Sequence, residues 1–475
     1  LKKHHDQNHT GNIMEIEFYG ATSGVTGSCH ILRANGQLIL LDCGLIQGPR
    51  EVEQKNRDPF PFSPGDISAV VLSHGHIDHS GRIPLLVKQG YQGPVYAHNA
   101  TCDLCRILLQ DSASLQERDA EYENKWRKRK GKPLVEPLYT LSDVDEALGN
   151  LESMCYRERR EILPGISICF QDAGHILGSC CVEVWLNEDG NEQKIVFSGD
   201  LGQYDMPILN DPAVIQHADH VLVESTYGNR RHRDQQQTID EIGDIISQAR
   251  HDRGNLLIPA FSIGRSQEIL YFMGKYYEEW ELDRWRIFLD SPMAIKATAV
   301  YWNYPQLYDE EATRLRREAN EMPPLKNLHL SSSVEESMAI NNIKSGAIII
   351  AGSGMCNGGR IIHHLKHNIS RQGAHVMIVG YQAHGTLGRK LVDGNPQVRI
   401  HGDEYPVRAR IHTVGGLSAH GDVDDLMRWL RNFNSDPAVH VVHGESESKQ
   451  AFRDSVVEQL GLRADVPNRG DVLEL

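Results

Sequence analysis

The sequence lacks long apolar segments and regularly spaced cysteines, and both absences exclude classes of protein. No apolar run approaches the roughly 18 residues that a transmembrane helix needs, and the N-terminus shows no signal-peptide pattern. The 475-residue chain contains nine cysteines, an odd number without framework spacing, which is typical of reduced thiols rather than of a disulfide scaffold. We therefore expect a cytoplasmic protein without a membrane partner.

Nucleotide-binding glycine motifs and an overall positive charge are also missing. No turn matches a Walker A or dinucleotide fingerprint, so ATP and NAD are not indicated. The formal net charge of −15 argues against a bulk electrostatic hold on nucleic acid. Positive charge occurs locally, in the runs 125–132 and 230–233. Such a run is more often a solvated face than a substrate track.

The most informative stretch that is present is His74-Gly75-His76-Ile77-Asp78-His79, which follows the apolar run Val70-Val71-Leu72. Four of its side chains can bind a metal ion, and imidazole and carboxylate are the ligands expected for zinc and comparable transition metals. The 24 histidines of the chain average about one in twenty positions, so a chance cluster this dense is the weaker interpretation. The stretch predicts a metal site.

Other predicted strands end in residues of the same chemistry. These endings are Asp42 after 37–41, His175 after 166–170, Asp200 after 194–197 and His443 after 439–442. One ending is weak evidence, but several indicate side chains that converge at one edge of a sheet. Asp42 has two open interpretations, as a turn former or as an acceptor that orients a ligand or bound water.

The chain is too long for one hydrophobic core and fits two domains. Residues 1–13 are interpreted as a disordered lead or an expression remnant, so their histidines are excluded from the site. Residues 14–210 form the first part of one domain, and residues 211–390 alternate strand and helix signals, as in a parallel α/β unit. Residues 391–475 carry His443 back to the first domain. The second domain is thus predicted to be inserted into the first.

Taken together, these motifs resemble those of the metallo-β-lactamase superfamily, in its β-CASP nuclease branch. The hexapeptide fits the HxHxDH signature of the superfamily, and the last three motif positions below are those that define the branch. In chain order, the motif positions are Asp42, the hexapeptide 74–79, His175, Asp200, Glu224, His420 and His443. The resemblance covers nearly all of residues 14–475.

The resemblance implies an α/β fold: an αββα sandwich with an inserted parallel α/β domain. It also implies two zinc ions and assigns their ligands as His74, His76 and His175 for the first, Asp78, His79 and His443 for the second, and Asp200 as a bridge. Manganese is also compatible with these ligands. Two metal ions about 3.5–4 Å apart suit phosphodiester hydrolysis, because they generate hydroxide from bound water and neutralise the developing charge.

By the same resemblance, His420 is the acid that protonates the departing oxygen, and Glu224 holds its imidazole. Asp78 belongs to the catalytic set through the second metal ion. Considered alone, Glu224 would more often be an ordinary strand-end acid, and His420 a residue at a helix N-terminus. We expect the two to pair across the domain boundary.

Glycine- and arginine-containing turns follow several strands of the predicted insertion. Glycine lets backbone N–H groups approach phosphate, and arginine provides bidentate contacts. The candidate substrate contacts in these turns are Ser262, Arg265, Arg360, His384 and Arg389. Each turn alone is more often structural. In a β-CASP-like domain they favour a cleft that follows a sugar–phosphate backbone with little base reading.

The resulting hypothesis is a zinc-dependent ribonuclease that resembles the cleavage-and-polyadenylation endonuclease, in a minimal form without an extra RNA-binding domain. RNA-acting members of the branch typically have histidine in the last motif, where DNA-repair members have valine, so His443 favours RNA. Three alternatives stay open: a DNA-directed nuclease, a small-molecule hydrolase of thioesters or lactams, and a non-catalytic partner subunit. Additional 5′–3′ exonuclease activity and a homodimer are also left open.

Overall fold

The computed structural model of the chain describes residues 14–319 and 325–475. The predicted N-terminal lead, residues 1–13, lies outside the described residues. The first part of the chain contains β1 (Glu15–Phe18), β2 (His30–Ala34), β3 (Gln37–Leu41), α1 (Arg50–Glu53), β4 (Ala69–Val71), α2 (Ile77–Ser80), α3 (Ile83–Lys88), β5 (Val95–His98), α4 (Asn99–Arg129), α5 (Leu141–Gly149), β6 (Leu151–Met154), β7 (Arg160–Leu163), β8 (Ile166–Asp172), β9 (Cys180–Glu188), β10 (Asn191–Phe197) and β11 (His220–Val223).

The middle of the chain alternates helix and strand, as its sequence predicts. Its elements are α6 (Gln235–His251), β12 (Leu256–Pro259), α7 (Arg265–Lys275), β13 (Arg286–Leu289), α8 (Pro292–Asn303), α9 (Glu310–Ala319), β14 (Leu328–Leu330), α10 (Val334–Ile340), β15 (Ala347–Ala351), α11 (Ile361–Asn368), β16 (His375–Ile378), α12 (Leu387–Val392), β17 (Gln397–Ile400), β18 (Asp403–Pro406) and β19 (Arg410–Thr413). The return segment contains α13 (Val423–Leu430), β20 (Ala438–Val441), α14 (Ser446–Leu460), β21 (Ala464–Asp465) and β22 (Asp471–Glu474).

Two seven-stranded sheets face each other in the first domain, in the orders β22-β1-β2-β3-β4-β5-β6 and β21-β20-β11-β10-β9-β8-β7. Leu41 of the first sheet and Phe197 of the second lie in one buried cluster between them. The outer face of the first sheet packs against α3, α4 and α5, and that of the second against α13 and α14. Each strand directs alternate side chains to opposite faces, and each sheet has the other sheet on one face and helices on the other. The predicted αββα sandwich is confirmed.

The inserted domain is built on a six-stranded sheet of order β14-β13-β15-β12-β16-β19, and its strand pairs are parallel. Every residue of Leu256–Pro259 and of Ala347–Ala351 is buried. Near-continuous apolar strands of this kind are typical of a parallel sheet covered by helices on both faces. The predicted parallel α/β unit is confirmed.

The sheets place the exchange between domains later in the chain than positions 210 and 390. β11 pairs with β10 and β20 and therefore belongs to the sandwich. β19 pairs with β16 and belongs to the inserted sheet. An apolar strand pattern is the same in either sheet, so the sequence alone does not show which one a border strand joins.

Helix α4 lies between the two domains. Cys102, Cys105 and Leu109 face the cluster under the first sheet. Leu104 and Leu108 face the core of the inserted domain. The helix therefore fixes the two domains against each other beside the segment that follows β4. Among the described residues, no helix combines the length and apolar character required to cross a membrane.

Candidate metal centre

The predicted ligands follow four strands that end at the same edge of the sandwich. β4 of the first sheet leads into residues 74–79, whereas β8, β10 and β20 of the second sheet lead to His175, Asp200 and His443. The structure brings all of these side chains together. A first group is formed by His74, His76, His175 and Asp200, whose ligand atoms lie within 4.8 Å of one another.

In this first group, His76 Nδ1 lies 3.0 Å from His74 Nε2 and 3.2 Å from His175 Nε2. Asp200 Oδ2 lies 3.5 Å from His74 Nε2 and 3.6 Å from His175 Nε2. Three imidazole nitrogens and one carboxylate oxygen thus point into one small volume, as in a tetrahedral zinc site.

A second group consists of Asp78, His79 and His443. The Nε2 atoms of His79 and His443 are 3.2 Å apart, and Asp78 Oδ2 lies 3.8 Å from the first and 3.7 Å from the second. Asp200 lies between the groups, because its Oδ2 is 3.3 Å from His79 Nε2 and its Oδ1 is 3.4 Å from His443 Nδ1.

The chemistry of these donors fits bound metal ions. Burial, together with neighbouring histidines, holds the pKa of His74 and of His175 well below the usual histidine value, which favours the neutral imidazole that metals bind. Asp200 Oδ1 is buried and receives no hydrogen bond from the described residues. A cation would satisfy both the converging ring nitrogens and this oxygen.

Asp42 is buried behind the second group and accepts four hydrogen-bonding contacts. Its Oδ2 lies 2.7 Å from His79 Nδ1 and accepts from the hydroxyls of Ser28 and Ser73, both at 3.0 Å. Its Oδ1 accepts from Ser73 N at 2.8 Å. Because Asp42 holds Nδ1 of His79, Nε2 is the ring nitrogen that faces the group.

Gly44 explains how Asp42 comes so close to the hexapeptide. A Cβ atom at this position would lie 1.6 Å from the backbone oxygen of Asp78. Without it, Cys43 N donates to His79 O at 2.8 Å and Leu45 N donates to Ile77 O at 2.9 Å. The turn after β3 therefore runs directly along the turn after β4.

Glu224 and His420 pair beside the metal ligands. His420 Nδ1 lies 3.0 Å from Glu224 Oε1, and its ring centroid is 4.6 Å from that of His175. Glu224 is fully buried. Burial lowers the pKa of His420, but the nearby carboxylates of Glu224 and Asp200 outweigh this and raise it to about 9.

Sequence reasoning missed several side chains that support the site. His232 Nε2 lies 3.0 Å from the backbone oxygen of His420. His232 belongs to the run 230–233, which was interpreted only as a basic surface because of its arginines. Ser179 Oγ accepts from His175 N at 3.1 Å, and Thr226 Oγ1 lies 3.3 Å from His443 Nδ1. These three residues are recognised only by their closeness to the motif residues in the folded protein, and the sequence does not reveal that closeness.

Two of the proposed substrate arginines form ion pairs with acidic residues of the inserted domain. Arg265 is 9% exposed and its NH1 lies 2.7 Å from Glu268 Oε2; burial raises the pKa of Glu268 to about 7. Arg360 NH1 lies 2.7 Å from Asp290 Oδ1 and also donates to Ser331 O. Both guanidinium groups are therefore engaged within the protein, and their contact with substrate stays a prediction.

The other proposed contacts are more accessible. Arg389 is exposed and forms an i,i+4 ion pair with Asp393 at 2.8 Å. His384 is exposed, and Ser262 Oγ lies 3.3 Å from Ser291 Oγ at the carboxyl ends of β12 and β13. Their contact with substrate stays a prediction.

Three family models match successive parts of the chain. Residues 22–152 match the metallo-β-lactamase superfamily, residues 266–391 the β-CASP domain, and residues 404–467 the Zn-dependent metallo-hydrolase RNA specificity domain. These matches follow the chain order of the sandwich, the inserted domain and the return segment.

Relatives of similar length match almost the whole chain. Ribonuclease TTHA0252 of Thermus thermophilus is 40% identical over 92% of this chain and 95% of its own. The RNase J-like protein of Methanocaldococcus jannaschii is 29% identical over 97% and 99%. A solved structure of a protein of unknown function from Enterococcus faecalis aligns over 98% of this chain and 100% of its own, with a TM-score of 0.57 and 13% identity; this supports the fold alone.

The contacts of Asp42 lead to a first prediction. Replacing Asp42 with Asn removes the charge that holds His79 Nδ1, so the affinity for zinc should fall about 10–100-fold. Competition with a chromogenic chelator measures this affinity. Asp66→Asn, at an exposed aspartate ahead of β4, is the matched control and should leave it unchanged. Equal zinc affinity in both variants would contradict the assigned role of Asp42.

Proposed function

Since the chain belongs to the β-CASP branch of the metallo-β-lactamase superfamily, we propose that it is a zinc-dependent ribonuclease that hydrolyses RNA phosphodiester bonds. The single observation that carries this proposal is the Glu224–His420 pair beside two adjoining groups of metal ligands. A relative over nearly the full chain is named a ribonuclease, which supports RNA as the substrate.

Two zinc ions are the proposed cofactors, with manganese as an alternative. His74, His76 and His175 would hold one ion, Asp78, His79 and His443 the other, and Asp200 would contribute to both. When bound, the ions supply Lewis acidity toward the attacking water and neutralise negative charge on the phosphate. The remaining steps depend on residues of the chain.

In this proposal, His420 delivers a proton to the departing oxygen. Its Nδ1 is held by Glu224, which leaves Nε2 as the ring nitrogen that can donate. Glu224 itself is fixed, because its Oε1 accepts from Leu201 N at 2.8 Å and its Oε2 from Thr226 N at 3.1 Å. The imidazole is therefore oriented before substrate binds.

The inserted domain supports a polymeric substrate over a small one. Its first turn lies against the His175 loop, because a Cβ on Gly264 would be 3.5 Å from Ile176 Cγ2. Leu177 N donates to Tyr301 OH at 3.2 Å. A second domain set directly on the ligand loops lengthens the cleft, which favours a chain substrate over a thioester or lactam.

The deciding experiment uses RNA labelled at the 5′ or the 3′ end. The wild type should cut it, giving internal fragments if it is an endonuclease and stepwise shortening from the 5′ end if it is an exonuclease. The Asp78→Ala, His79→Ala protein should not cut it. DNA of the same sequence and a thioester serve as competing substrates. A zinc-loaded wild type that hydrolyses either of these but not RNA would overturn the proposal.

Loss of the proposed acid should slow turnover without loss of metal. We expect His420→Ala to lower kcat by about 10²–10⁴-fold, the usual contribution of general acid catalysis, and Glu224→Gln to lower it less, because the hydrogen bond remains. Zinc content and kcat are measured together. His217→Ala, at an exposed histidine, is the control. Undiminished kcat in a fully zinc-loaded His420→Ala protein would refute this role.

Arg389 provides the cleanest test of phosphate binding, because its replacement leaves no buried acid without a partner. Arg389→Glu should weaken RNA binding and reduce the slope of log affinity against log salt by about 0.7 for each lost single-strand phosphate contact. Arg399→Glu is matched to it, since Arg399 is also exposed and ion-paired, with Glu404 at 3.0 Å. Equal salt slopes for the two variants would argue against the contact.

A further inference from the structure

Helix α4 continues well beyond its last fully buried residue. Its buried side chains end at Ala113, although the helix runs to Arg129. At 1.5 Å per residue, positions 114–129 are about 24 Å long, and Glu117 still accepts from Leu141 N of α5 at 3.1 Å. Residues 132–138 then return along the helix. We refer to residues 114–138 as the arm.

Hydrogen bonds between the two limbs of the arm fix its shape. The Asn124 side chain donates to Val135 O and accepts from Val135 N, both at 2.8 Å. Gln116 Oε1 accepts from Leu138 N at 3.1 Å, and Arg127 NH1 donates to Pro133 O at 3.0 Å. The arm is thus a defined extension. Its return limb rejoins the body, where Glu136 O accepts from Arg57 NH2 at 2.7 Å and Leu138 packs against the core of the first domain.

The tip of the arm, residues 124–135, is rich in positive charge, and exposed aromatic rings lie in it and just before it. Positions 124–135 contain no acidic residue, and their basic residues are Lys125, Arg127, Lys128, Arg129, Lys130 and Lys132. Tyr122 is 79% exposed and Trp126 48%, and their spacing of four places them on one face of the helix. Lys132 Nζ lies 4.9 Å from the Trp126 ring centroid. Basic groups among exposed aromatics are the features that bind single-stranded nucleic acid.

The base of α4 connects this tip to the metal centre. A Cβ on Gly75 would lie 3.4 Å from Leu104 Cβ, so the first turns of the helix touch the hexapeptide. Tyr304 at the end of α8 donates to Asp103 at 2.6 Å, whereas Lys296, near the start of α8, interacts with Asp111. The two helices are therefore antiparallel.

This arrangement directs the start of α8 toward the arm. Ser291, which caps α8, contacts Ser262 at the carboxyl ends of the inserted strands. A polymer that passes from the hexapeptide along the edge of the inserted sheet therefore follows α4 in the direction of its exposed end.

We propose that the arm is a second binding site for the RNA substrate, which holds a single-stranded segment outside the cleft through its lysines and by stacking on Tyr122 and Trp126. This inference rests on the proposed function, because it takes RNA to be the substrate. The stretch of α4 from Leu104, which touches the hexapeptide, to Lys125 is about 32 Å long at 1.5 Å per residue. An RNA of about 3 nucleotides is too short to occupy the cleft and the arm together.

The test compares unstructured RNAs of about 3 and about 30 nucleotides, of which only the longer can reach both the cleft and the arm. Lys125→Glu, Lys130→Glu should raise KM for the long RNA about tenfold and reduce the salt slope of kcat/KM by about 1.4, at about 0.7 per phosphate contact. Tyr122→Ala, Trp126→Ala should raise KM similarly through lost stacking but leave the salt slope unchanged. Neither variant should change kcat or the KM for the short RNA.

Arg314→Glu, Arg317→Glu on α9 is the matched control, since both residues are exposed and the charge change is the same. The inference would be overturned by an equal effect in this control or by an unchanged KM for the long RNA in both arm variants. It would also be overturned if the arm variants changed only self-association in gel filtration. In each case, cleavage of the short RNA would still support the proposed function. If the wild type neither cuts RNA nor, with its metal chelated, binds it in fluorescence anisotropy, both fail.

Discussion

The structure depends on one electrostatic constraint: five histidines and two aspartates lie close together in a small volume. Each imidazole must direct an unprotonated nitrogen inward, and this requires an acceptor for the proton on the other nitrogen. Asp42 provides that acceptor for His79, and the backbone oxygen of Ala419 provides it for His175 at 3.0 Å. The outer acceptors thus determine what the inner nitrogens can bind.

These acceptors come from opposite ends of the chain, and this explains why the domain insertion matters. Asp42 precedes the hexapeptide, whereas Ala419 and His443 arrive only after the inserted domain is complete. β20 pairs with β11 and β22 pairs with β1, and Gly421 N donates to Leu201 O at 2.7 Å. The return segment therefore completes both the site and the two sheets of the sandwich. A change that disturbs the pairing of β20 or β22 would also displace the ligands that this segment carries.

The sequence predicted the parts of the site that are local in the chain. The hexapeptide and the strand endings were read from residue types and spacing, because these are local features. The αββα fold was implied by the family resemblance that these motifs carry. The partner of Arg360 could not be predicted in this way, because it is distant in the chain. Arg360 meets Asp290 across 70 positions, and only the fold reveals that both are shielded. β9, with most of its residues buried, was also missed, because a strand covered on both faces loses the alternation that identifies it.

The same distinction between local and global properties applies to charge. A net charge of −15 suggests repulsion of RNA, yet at physiological ionic strength a charge is screened within about 8 Å. The basic residues of the arm lie in one stretch, positions 124–135, that contains no acidic residue. The acidic residues of the arm flank the tip, four between Glu117 and Glu123 and one at Glu136, and Glu123 is paired with Arg127 at 2.8 Å. RNA near the tip therefore meets a locally positive surface, and the acidic body limits non-specific binding elsewhere.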